Sequence, residues 1–295
     1  MRVLILGGTG MLGHRLWINL CRNYETWVTV RGSASSFPDH PAFPKPFVRS
    51  NVDGLIFDEV TRAFASIQPD LVINCIGLIK QIPTASDPVS SLSLNAMLPH
   101  RVSLLCRTAG IRMIHISTDC VFAGKKGHYT ESDQSDAEDL YGRSKFLGEV
   151  SYPHTVTLRT SIIGRELQAQ YGLIEWFLAR QGTIRGYCRA SYTGFTTDEL
   201  SRIIINHVIP QPNLSGVYHV SSETISKYEL LMLVNEAFGR KIVIIPEEKF
   251  ICDRSLDSTR FRQATGYKPP SWSKMISELA KDSKFYDEIR RIRCQ

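Results

Sequence analysis

The chain has 295 residues, 43% of them hydrophobic and 22% charged, with a formal net charge of +6. This composition is ordinary for a globular protein and gives no reason to expect disorder. No apolar run approaches the roughly 18–20 residues of a membrane span, and the basic residues are too dispersed to predict a nucleic-acid surface. The first predicted strand begins at residue 2, and the seven cysteines form no Cys-x-x-Cys pair. We therefore expect no signal peptide, no metal site and a cytoplasmic location.

The first predicted element is a short apolar strand that leads into a glycine-rich turn. Residues 2–6 are typical of a strand buried on both faces, and a helical pattern covers 11–22. Between them, Gly7 permits a tight turn, Gly10 lets the backbone approach a pyrophosphate, and Gly13 allows close helix–strand packing. The helix N-terminus then binds the anion, which predicts a dinucleotide site. The expected cofactor contacts of this segment are Gly7, Thr9, Gly10, Met11, Leu12 and Gly13.

The second predicted strand, residues 26–30, ends beside a basic residue instead of an acidic one. An Asp or Glu at this point would bind the ribose 2′-OH of NAD, whereas a basic residue accommodates the 2′-phosphate of NADP. Arg31 and Ser33 can both contact that phosphate, so we expect NADP in preference to NAD; otherwise Arg31 is a solvated loop charge. Asn51 and Asp53 are assigned to the same site, with Asp53 at the adenine amino group.

A hydroxyl pair and a Tyr-x-x-x-Lys motif form the second group of candidate residues. Ser117 and Thr118 follow the predicted strand 111–116, at the edge where open α/β sheets bind their ligands. Tyr141 and Lys145 are four residues apart in a predicted helix, so both lie on one helix face. The sequence therefore predicts that these side chains meet in one cleft.

This combination predicts hydride transfer to or from a carbonyl group. A carbonyl that accepts hydride becomes an alkoxide and needs a proton, but the pKa of a free tyrosine is about 10. We expect the ammonium group of Lys145 to lower the pKa of Tyr141, which would act as the acid in reduction. We expect Thr118 to donate a hydrogen bond to the carbonyl oxygen.

The alternation of strands and helices predicts an α/β fold with a Rossmann-type doubly wound parallel sheet and a smaller C-terminal substrate-binding lobe. The strand candidates are 2–6, 26–30, 71–75, 111–116 and 155–159, and the helix candidates are 11–22, 56–67, 90–109, 139–151, 174–180, 197–208 and 226–238. Residues 1–163 are assigned to an NADP-binding domain, rejoined by a strand near 216–220, and residues 164–295 mainly to the lobe. The proline-rich stretch 37–46 is expected to be an irregular surface loop, and Ser226 with Glu229 predicts a capping box.

Together these residues resemble the extended short-chain dehydrogenase/reductases, and within them the dTDP-4-dehydrorhamnose reductase group. The similarity covers nearly the whole chain and includes the stretches Ile116–Phe122, Asn95–Pro99, Leu158–Ser161 and Ser226–Leu230. The resemblance implies an NADPH-dependent reductase of a nucleotide-linked keto-sugar, with a 4-keto-6-deoxy sugar as the expected substrate, in polysaccharide or deoxysugar biosynthesis. It also implies a homodimer that pairs through the helices 90–109 and 139–151.

The resemblance further implies roles for individual residues. Thr118, Tyr141 and Lys145 match the family's catalytic positions. Asp119 matches an acidic residue beside the substrate sugar, and Asn95 matches a helix residue that supports the active site. Further cofactor contacts are assigned to Cys75, Ile76, Gly77, Ser117 and Ser161, and substrate contacts to Lys80, Arg189, Thr196 and Arg254. The two arginines can clamp a diphosphate, or they are surface charges.

One departure from the reductase pattern leaves two further enzyme classes to weigh. Cys120 stands where rhamnose-type reductases usually carry Tyr, and GDP-fucose synthases place a Cys two residues after their catalytic Ser. A bifunctional epimerase/reductase is therefore an alternative, although no His lies between His154 and His207 to complete an epimerase pair. Otherwise Cys120 is a small packing residue. Asp119 is followed by this Cys and not by Glu, which argues against a sugar-nucleotide 4,6-dehydratase.

A second alternative is a protein without catalytic activity. The regulatory subunit of methionine adenosyltransferase resembles the same group, so the fold also serves as a binding module. The intact set of Thr118, Tyr141 and Lys145 favours an enzyme.

Overall fold

The computed structural model describes residues 1–168 and 170–294, so residues 169 and 295 of the predicted lobe lie outside the described part. The strands are β1 (Arg2–Leu6), β2 (Glu25–Thr29), β3 (Val48–Arg49), β4 (Leu71–Asn74), β5 (Arg112–Ile116), β6 (Thr155–Arg159), β7 (Ile162–Ile163), β8 (Thr183–Tyr187), β9 (Ala190–Tyr192), β10 (Phe195–Thr196), β11 (Gly216–His219), β12 (Ile225–Ser226), β13 (Val243–Glu247) and β14 (Cys252–Asp253). The α-helices are α1 (Met11–Leu20), α2 (Phe57–Ile67), α3 (Pro88–Ser91), α4 (Leu98–Thr108), α5 (Leu140–Leu147), α6 (Leu173–Leu178), α7 (Thr197–Ile203), α8 (Lys227–Ala237), α9 (Thr259–Thr265), α10 (Trp272–Lys281) and α11 (Ser283–Cys294). None of these helices is long and apolar enough to cross a bilayer.

The main sheet has seven strands in the order β11-β6-β5-β4-β1-β2-β3. Its pairings are parallel throughout, including that of β11 with β6. The chain runs outward from β1 through β2 to β3, and then returns to the other side of β1 with β4. This reversal creates a crevice at the carboxyl ends of β1 and β4, where doubly wound sheets bind ligands. The predicted Rossmann-type α/β fold is confirmed.

The sheet is buried on both faces, and β1 shows how its apolar side chains are divided between them. Side chains alternate between the two faces of a strand. In β1, Val3 and Ile5 belong to one hydrophobic core, whereas Leu4 and Leu6 belong to another on the opposite face. Helices cover both faces, as continuous apolar strands require.

Two predicted helices differ from the structure at positions that depend on tertiary contacts. The helix predicted over 139–151 ends at Leu147, and a Cβ on Gly148 would lie 1.9 Å from the carbonyl oxygen of Asn95. The helix predicted over 90–109 begins at Pro88 and contains a π-helical segment over Leu92–Met97.

The remaining strands form small sheets in the second half of the chain, with the orders β12-β9-β14, β13-β8 and β10-β7. Short strands with partners distant in sequence carry little periodicity, which is why most of them were not predicted. At the start of α8, Ser226 accepts a hydrogen bond from the backbone N–H of Glu229, whose side chain accepts one from Ser226. The predicted capping box is thus confirmed.

The proline-rich stretch is irregular, but the expectation that it lies on the surface was wrong for its two phenylalanines. Phe37 and Phe43 are 2% and 1% exposed. Their rings pack on Trp17 of α1, with centroid distances of 4.8 and 5.7 Å. Phe285 of α11 closes the cluster, 6.3 Å from Phe43. The aromatic rings of the loop therefore complete the core beside the glycine-rich turn.

Candidate active site

A cleft of about 740 Å³ lies where the loops after β1, β4, β5 and β6 meet. Of the residues predicted from the sequence, those that line it are Thr9, Gly10, Met11, Leu12, Cys75, Ile76, Gly77, Lys80, Ser117, Thr118, Asp119, Tyr141, Lys145, Ser161 and Arg254. Those that do not are Gly7, Gly13, Arg31, Ser33, Asn51, Asp53, Arg189 and Thr196. The structure therefore brings the glycine-rich turn and the hydroxyl, phenol and ammonium groups to a single cleft.

The glycine-rich turn has the shape that a pyrophosphate site needs. Gly7 has a φ of 85°, in the region that favours glycine. A Cβ on Gly13 would lie 2.1 Å from the carbonyl oxygen of Gly7, so only glycine lets α1 start this close to β1. Gly10 is the N-cap of α1, and no side chain of the described residues caps that helix. The first N–H groups of α1 are thus available to an anion, and these residues fit a dinucleotide.

The residues predicted for the 2′-phosphate and adenine lie beside each other at the ends of β2 and β3. The backbone N–H of Asn51 donates to the carbonyl oxygen of Gly32 at 2.8 Å, which holds the two strand ends together. Arg31 is exposed. Ser33 accepts a hydrogen bond within the short turn that follows it, and Asp53 accepts one from the backbone two residues on. These four residues lie at the surface and are not part of the wall of the cleft.

The predicted Tyr and Lys lie on α5, which packs directly against the segment that follows β5. A Cβ on Gly142 would lie 2.2 Å from the carbonyl oxygen of Cys120, so glycine permits this approach. Asp139 caps the helix by accepting a hydrogen bond from the Gly142 N–H at 2.7 Å. One turn later, Lys145 donates from Nζ to the carbonyl oxygen of Ile116 at 2.8 Å. The segment at the end of β5 and the face of α5 that carries Tyr141 and Lys145 are therefore held together at two successive turns of the helix.

Thr118 and Asp119 begin a short 3₁₀ turn at the end of β5. The Thr118 hydroxyl accepts a hydrogen bond from the Cys120 N–H at 3.1 Å and donates one to Asp119 Oδ1 at 3.2 Å. The Asp119 N–H donates to the carbonyl oxygen of Thr160, which fixes the turn against the end of β6. Burial raises the pKa of the Asp119 carboxyl, although Arg254 opposes the shift.

Burial also sets the protonation of the phenol and the ammonium. It raises the pKa of Tyr141; Cys120 adds to the shift and the Thr118 hydroxyl opposes it. It lowers the pKa of Lys145 to about 8, against the attraction of Glu149. Desolvation outweighs the neighbouring charges, so the net shift of the Tyr141 pKa is upward, opposite in sign to the lowering expected from Lys145, whose Nζ donates to a backbone carbonyl.

Cys120 contacts the same buried group of residues. Burial and the Asp119 carboxylate raise the pKa of its thiol to about 12. Nη1 of Arg254 lies 3.8 Å from the Cys120 sulfur, and its Nε donates to the carbonyl oxygen of Phe122 at 2.7 Å. Cys120 is consequently a protonated thiol at neutral pH.

Residues behind the cleft fix its wall. The Asn95 side chain accepts a hydrogen bond from the Leu78 N–H at 2.8 Å and donates to the Leu78 carbonyl at 3.0 Å and to Ser144 at 3.2 Å. It thereby joins the loop after β4 to α5. Glu149 was not predicted, yet it accepts a hydrogen bond from the Ser117 hydroxyl at 2.7 Å and binds the buried Arg159. The sequence offered one signal for this role, which is that Glu149 follows Lys145 by four residues.

The predicted substrate contacts occupy three kinds of position. Lys80 lies at the rim, with Nζ 3.1 Å from Asp139 Oδ2 and 5.7 Å from the centroid of the Tyr141 ring. Arg254 lines the cleft, whereas Arg189 is exposed outside it. Thr196 is buried and caps α7. Sequence reasoning missed other wall residues of the small lobe, which no motif marks: Glu166, Trp176, Lys227 and Phe250.

Comparison with known proteins gives relatives that include a methionine adenosyltransferase subunit as well as reductases. The beta subunit of methionine adenosyltransferase 2 from Danio rerio is 26% identical over 253 residues, which cover 81% of this chain and 74% of that protein. A dTDP-4-dehydrorhamnose reductase from Mycobacterium tuberculosis is 27% identical over 169 residues, 54% of this chain. The match spans about half the length of this second relative, at 49%.

A solved structure is similar over nearly the full length. It is a dTDP-4-dehydrorhamnose reductase from Bacillus anthracis in complex with NADP, with a TM-score of 0.78 at 20% identity over 96% of this chain and 99% of that one. At this identity the likeness concerns the fold alone. A family model described as RmlD substrate binding domain matches residues 1–285. The resemblance to the dTDP-4-dehydrorhamnose reductase group is confirmed, and the chain belongs to the RmlD substrate binding domain family.

Proposed function

We propose that the protein is an NADPH-dependent reductase of a nucleotide-linked 4-keto-6-deoxy sugar. One observation carries the proposal: Thr118, Tyr141 and Lys145 line the same cleft as the glycine-rich turn. The protein is an oxidoreductase that acts on a sugar nucleotide, as its relationship to dTDP-4-dehydrorhamnose reductases indicates. The product would be an activated deoxysugar for polysaccharide synthesis.

Three residues of the cleft have different roles in the proton transfer. When bound, the nicotinamide supplies a hydride to the carbonyl carbon of the sugar. Tyr141 donates its phenolic proton to the carbonyl oxygen, and its raised pKa keeps that proton in place until charge develops. Thr118 donates a hydrogen bond to the same oxygen, and the charge of Lys145 stabilises the phenolate that remains. Lys145 also holds the nicotinamide ribose.

The cations of the cleft support a substrate with a diphosphate. Lys80, Lys227 and Arg254 lie on its wall, and cationic side chains bind phosphate oxygens through charge-assisted hydrogen bonds. At the opposite end, Arg31 and Ser33 support NADP over NAD, since they can meet a 2′-phosphate. We assign the activity to the cytoplasm, because free cysteines suit a reducing compartment.

The test is NADPH oxidation, followed by absorbance, against UDP-, dTDP- and GDP-linked 4-keto-6-deoxy sugars, with NADH in parallel. We expect turnover with one nucleotide class and a lower KM for NADPH than for NADH. NADPH binding without turnover of any member would overturn the reductase and favour the regulatory-subunit alternative. The similarity to the methionine adenosyltransferase beta subunit supports that alternative, and copurification of a larger partner enzyme would establish it.

The position of Cys120 on the cleft wall supports a test of the epimerase/reductase alternative. A Cys120→Ser variant that still reduces the carbonyl, but no longer changes the configuration of a neighbouring carbon, would establish it. An unchanged product would leave Cys120 as a packing residue.

We further propose that the protein is a homodimer that pairs through α4, α5 and the segment before α4. Apolar side chains are exposed there, including Met97 at 58% and Leu147 at 57%, as expected of an interaction surface. Sedimentation of the wild-type protein should give a dimer, and Leu147→Lys should shift it to a monomer. Wild-type protein that sediments as a monomer would refute the pairing.

A further inference from the structure

Tyr192 is the last residue of β9 and one of the residues that line the cleft. The side chain is 7% exposed. Its ring packs on Trp272 of α10 at a centroid distance of 5.6 Å. A Cβ on Gly194 would lie 2.3 Å from the phenolic oxygen, so the glycine leaves the room that this oxygen occupies. The chain thus holds this phenol in one place.

The phenolic oxygen is buried and has no hydrogen-bond partner among the described residues. Buried hydroxyls are almost always hydrogen-bonded, and an unsatisfied one destabilises the folded state by about 1–3 kcal/mol. Tyr267 shows the usual arrangement, because its buried phenol donates to Glu199 Oε1 at 2.8 Å. An unsatisfied phenol beside a cleft indicates that its partner arrives with a ligand.

The surroundings of this phenol belong to the reacting end of the cleft. Burial raises the pKa of Tyr192, and Asp119 and Cys120 add to the shift. The hydroxyl of Ser161 opposes it without forming an aligned hydrogen bond. Asp119, Cys120 and Ser161 all line the cleft. A ligand oxygen that reaches these residues comes within range of the Tyr192 phenol.

The small sheet that carries Tyr192 indicates which ligand supplies that oxygen. β9 pairs with β12 and β14, and the residues that follow these two strands include Lys227 and Arg254 on the cleft wall. These are the cations that support diphosphate binding, whereas the glycine-rich turn lies on the other side of the cleft, after β1. The phenol is therefore part of the substrate side.

We propose that Tyr192 is a substrate-positioning residue whose phenol donates a hydrogen bond to a hydroxyl of the nucleotide-linked sugar. The inference rests on the proposed function and deepens it, because it names a contact that orients the sugar ring. This oxygen has no hydrogen-bond partner among the described residues, and a sugar hydroxyl supplies one. Such a residue lowers the stability of the folded protein and increases its selectivity for the sugar.

The test is Tyr192→Phe, which removes the hydroxyl and keeps the ring. Because the phenol has no hydrogen-bond partner among the described residues, we expect an equal or higher melting temperature. Because a donor to the sugar is lost, we expect the KM for the sugar nucleotide to rise about fivefold to tenfold. The Kd for NADPH should not change. The matched control is Tyr267→Phe, which should lower the melting temperature and leave KM unchanged.

Each departure from this pattern overturns the inference. An unchanged KM in Tyr192→Phe means that the phenol does not bind the sugar, and a changed Kd for NADPH alone means that it binds the cofactor. A melting temperature lowered as in Tyr267→Phe means that the phenol is already satisfied. If the wild-type protein turns over no keto-sugar, the reductase proposal fails separately. Titration with dTDP-, UDP- and GDP-glucose then decides: weaker binding by the variant supports the inference, whereas equal binding, or no binding by either protein, overturns it.

Discussion

The phenol of Tyr141 lines the cleft, and burial is the largest cause of the upward shift of its pKa. Tyr141→Phe removes the proton donor and leaves the shape of the cleft intact. We expect kcat to fall about 10²- to 10⁴-fold, with the Kd for NADPH unchanged in a fluorescence titration. Tyr24→Phe, outside the cleft lining, serves as the control and should have wild-type activity. Full turnover by Tyr141→Phe would refute the assigned role.

The charge of Lys145 gives a pH dependence with opposite signs for activity and stability. Burial lowers its pKa from 10.5 to about 8, so the ammonium loses its proton as the pH rises through about 8, and kcat/KM for reduction should fall there. The unfolded chain keeps that proton up to 10.5 and binds more protons in between, so this group's contribution to stability should rise over the same range. Rate profiles and melting temperatures across this window check both signs. A rate that stays constant while the wild-type protein remains folded would contradict the prediction.

Single residues also mark what a sequence can and cannot reveal about a site. Thr118, Tyr141 and Lys145 were predictable because fixed spacings on a strand end and a helix face bring them together. The role proposed for Tyr192 could not be predicted, because it depends on a buried phenolic oxygen without a hydrogen-bond partner among the described residues, which only the folded structure shows. Thr196 could be predicted as a cap of α7 from the sequence, but its burial outside the cleft depends on tertiary packing.

At the level of elements, the joint between β1 and α1 depends on one glycine. In Gly13→Ala the new methyl group would lie 2.1 Å from the carbonyl oxygen of Gly7, which would displace the start of α1 from the phosphate site. We expect NADPH binding to be lost and the melting temperature to fall.

Gly182→Ala is a suitable control for this variant. Gly182 has a φ of 73° and open space at its Cβ position. The substitution should destabilise the fold by only about 1 kcal/mol, and NADPH binding should be unchanged. Retained NADPH binding in Gly13→Ala would show that α1 can start farther from the end of β1 without loss of the phosphate site.

The elements with strong periodicity could be predicted, while their ends and pairings could not. The five inner strand candidates are either mainly apolar runs, as in 2–6, or alternate polar with apolar residues, as in 155–159, and all appear in the main sheet. β3 has only two residues, too few for any pattern. β8 and β13 pair across more than fifty residues, a partnership that local sequence does not encode. The early end of α5 depends on the approach of Gly148 to Asn95.

For the whole molecule, buried histidines predict a loss of stability in acid. Burial lowers the pKa of His14 and of His219 from 6.5 to about 4, and that of His115 well below 6.5. The unfolded chain therefore binds more protons between these values, and the stability present above pH 6.5 should be lost progressively towards pH 4. Melting temperatures across this window test the prediction. In His219→Gln the loss should be smaller than in the wild-type protein.

The aromatic cluster around Trp17 has a consequence for synthesis on the ribosome. Phe285 closes on Phe43 at 6.3 Å, and the Tyr286 hydroxyl lies 2.8 Å from Nε2 of His14, on the helix that follows the glycine-rich turn. The aromatic residues at 37 and 43 leave the ribosome well before Phe285 and Tyr286, which complete their surroundings. A nascent chain would therefore carry an unfinished core with exposed phenylalanines until the later residues emerge. Chaperones that recognise exposed apolar side chains would bind the nascent chain during that interval.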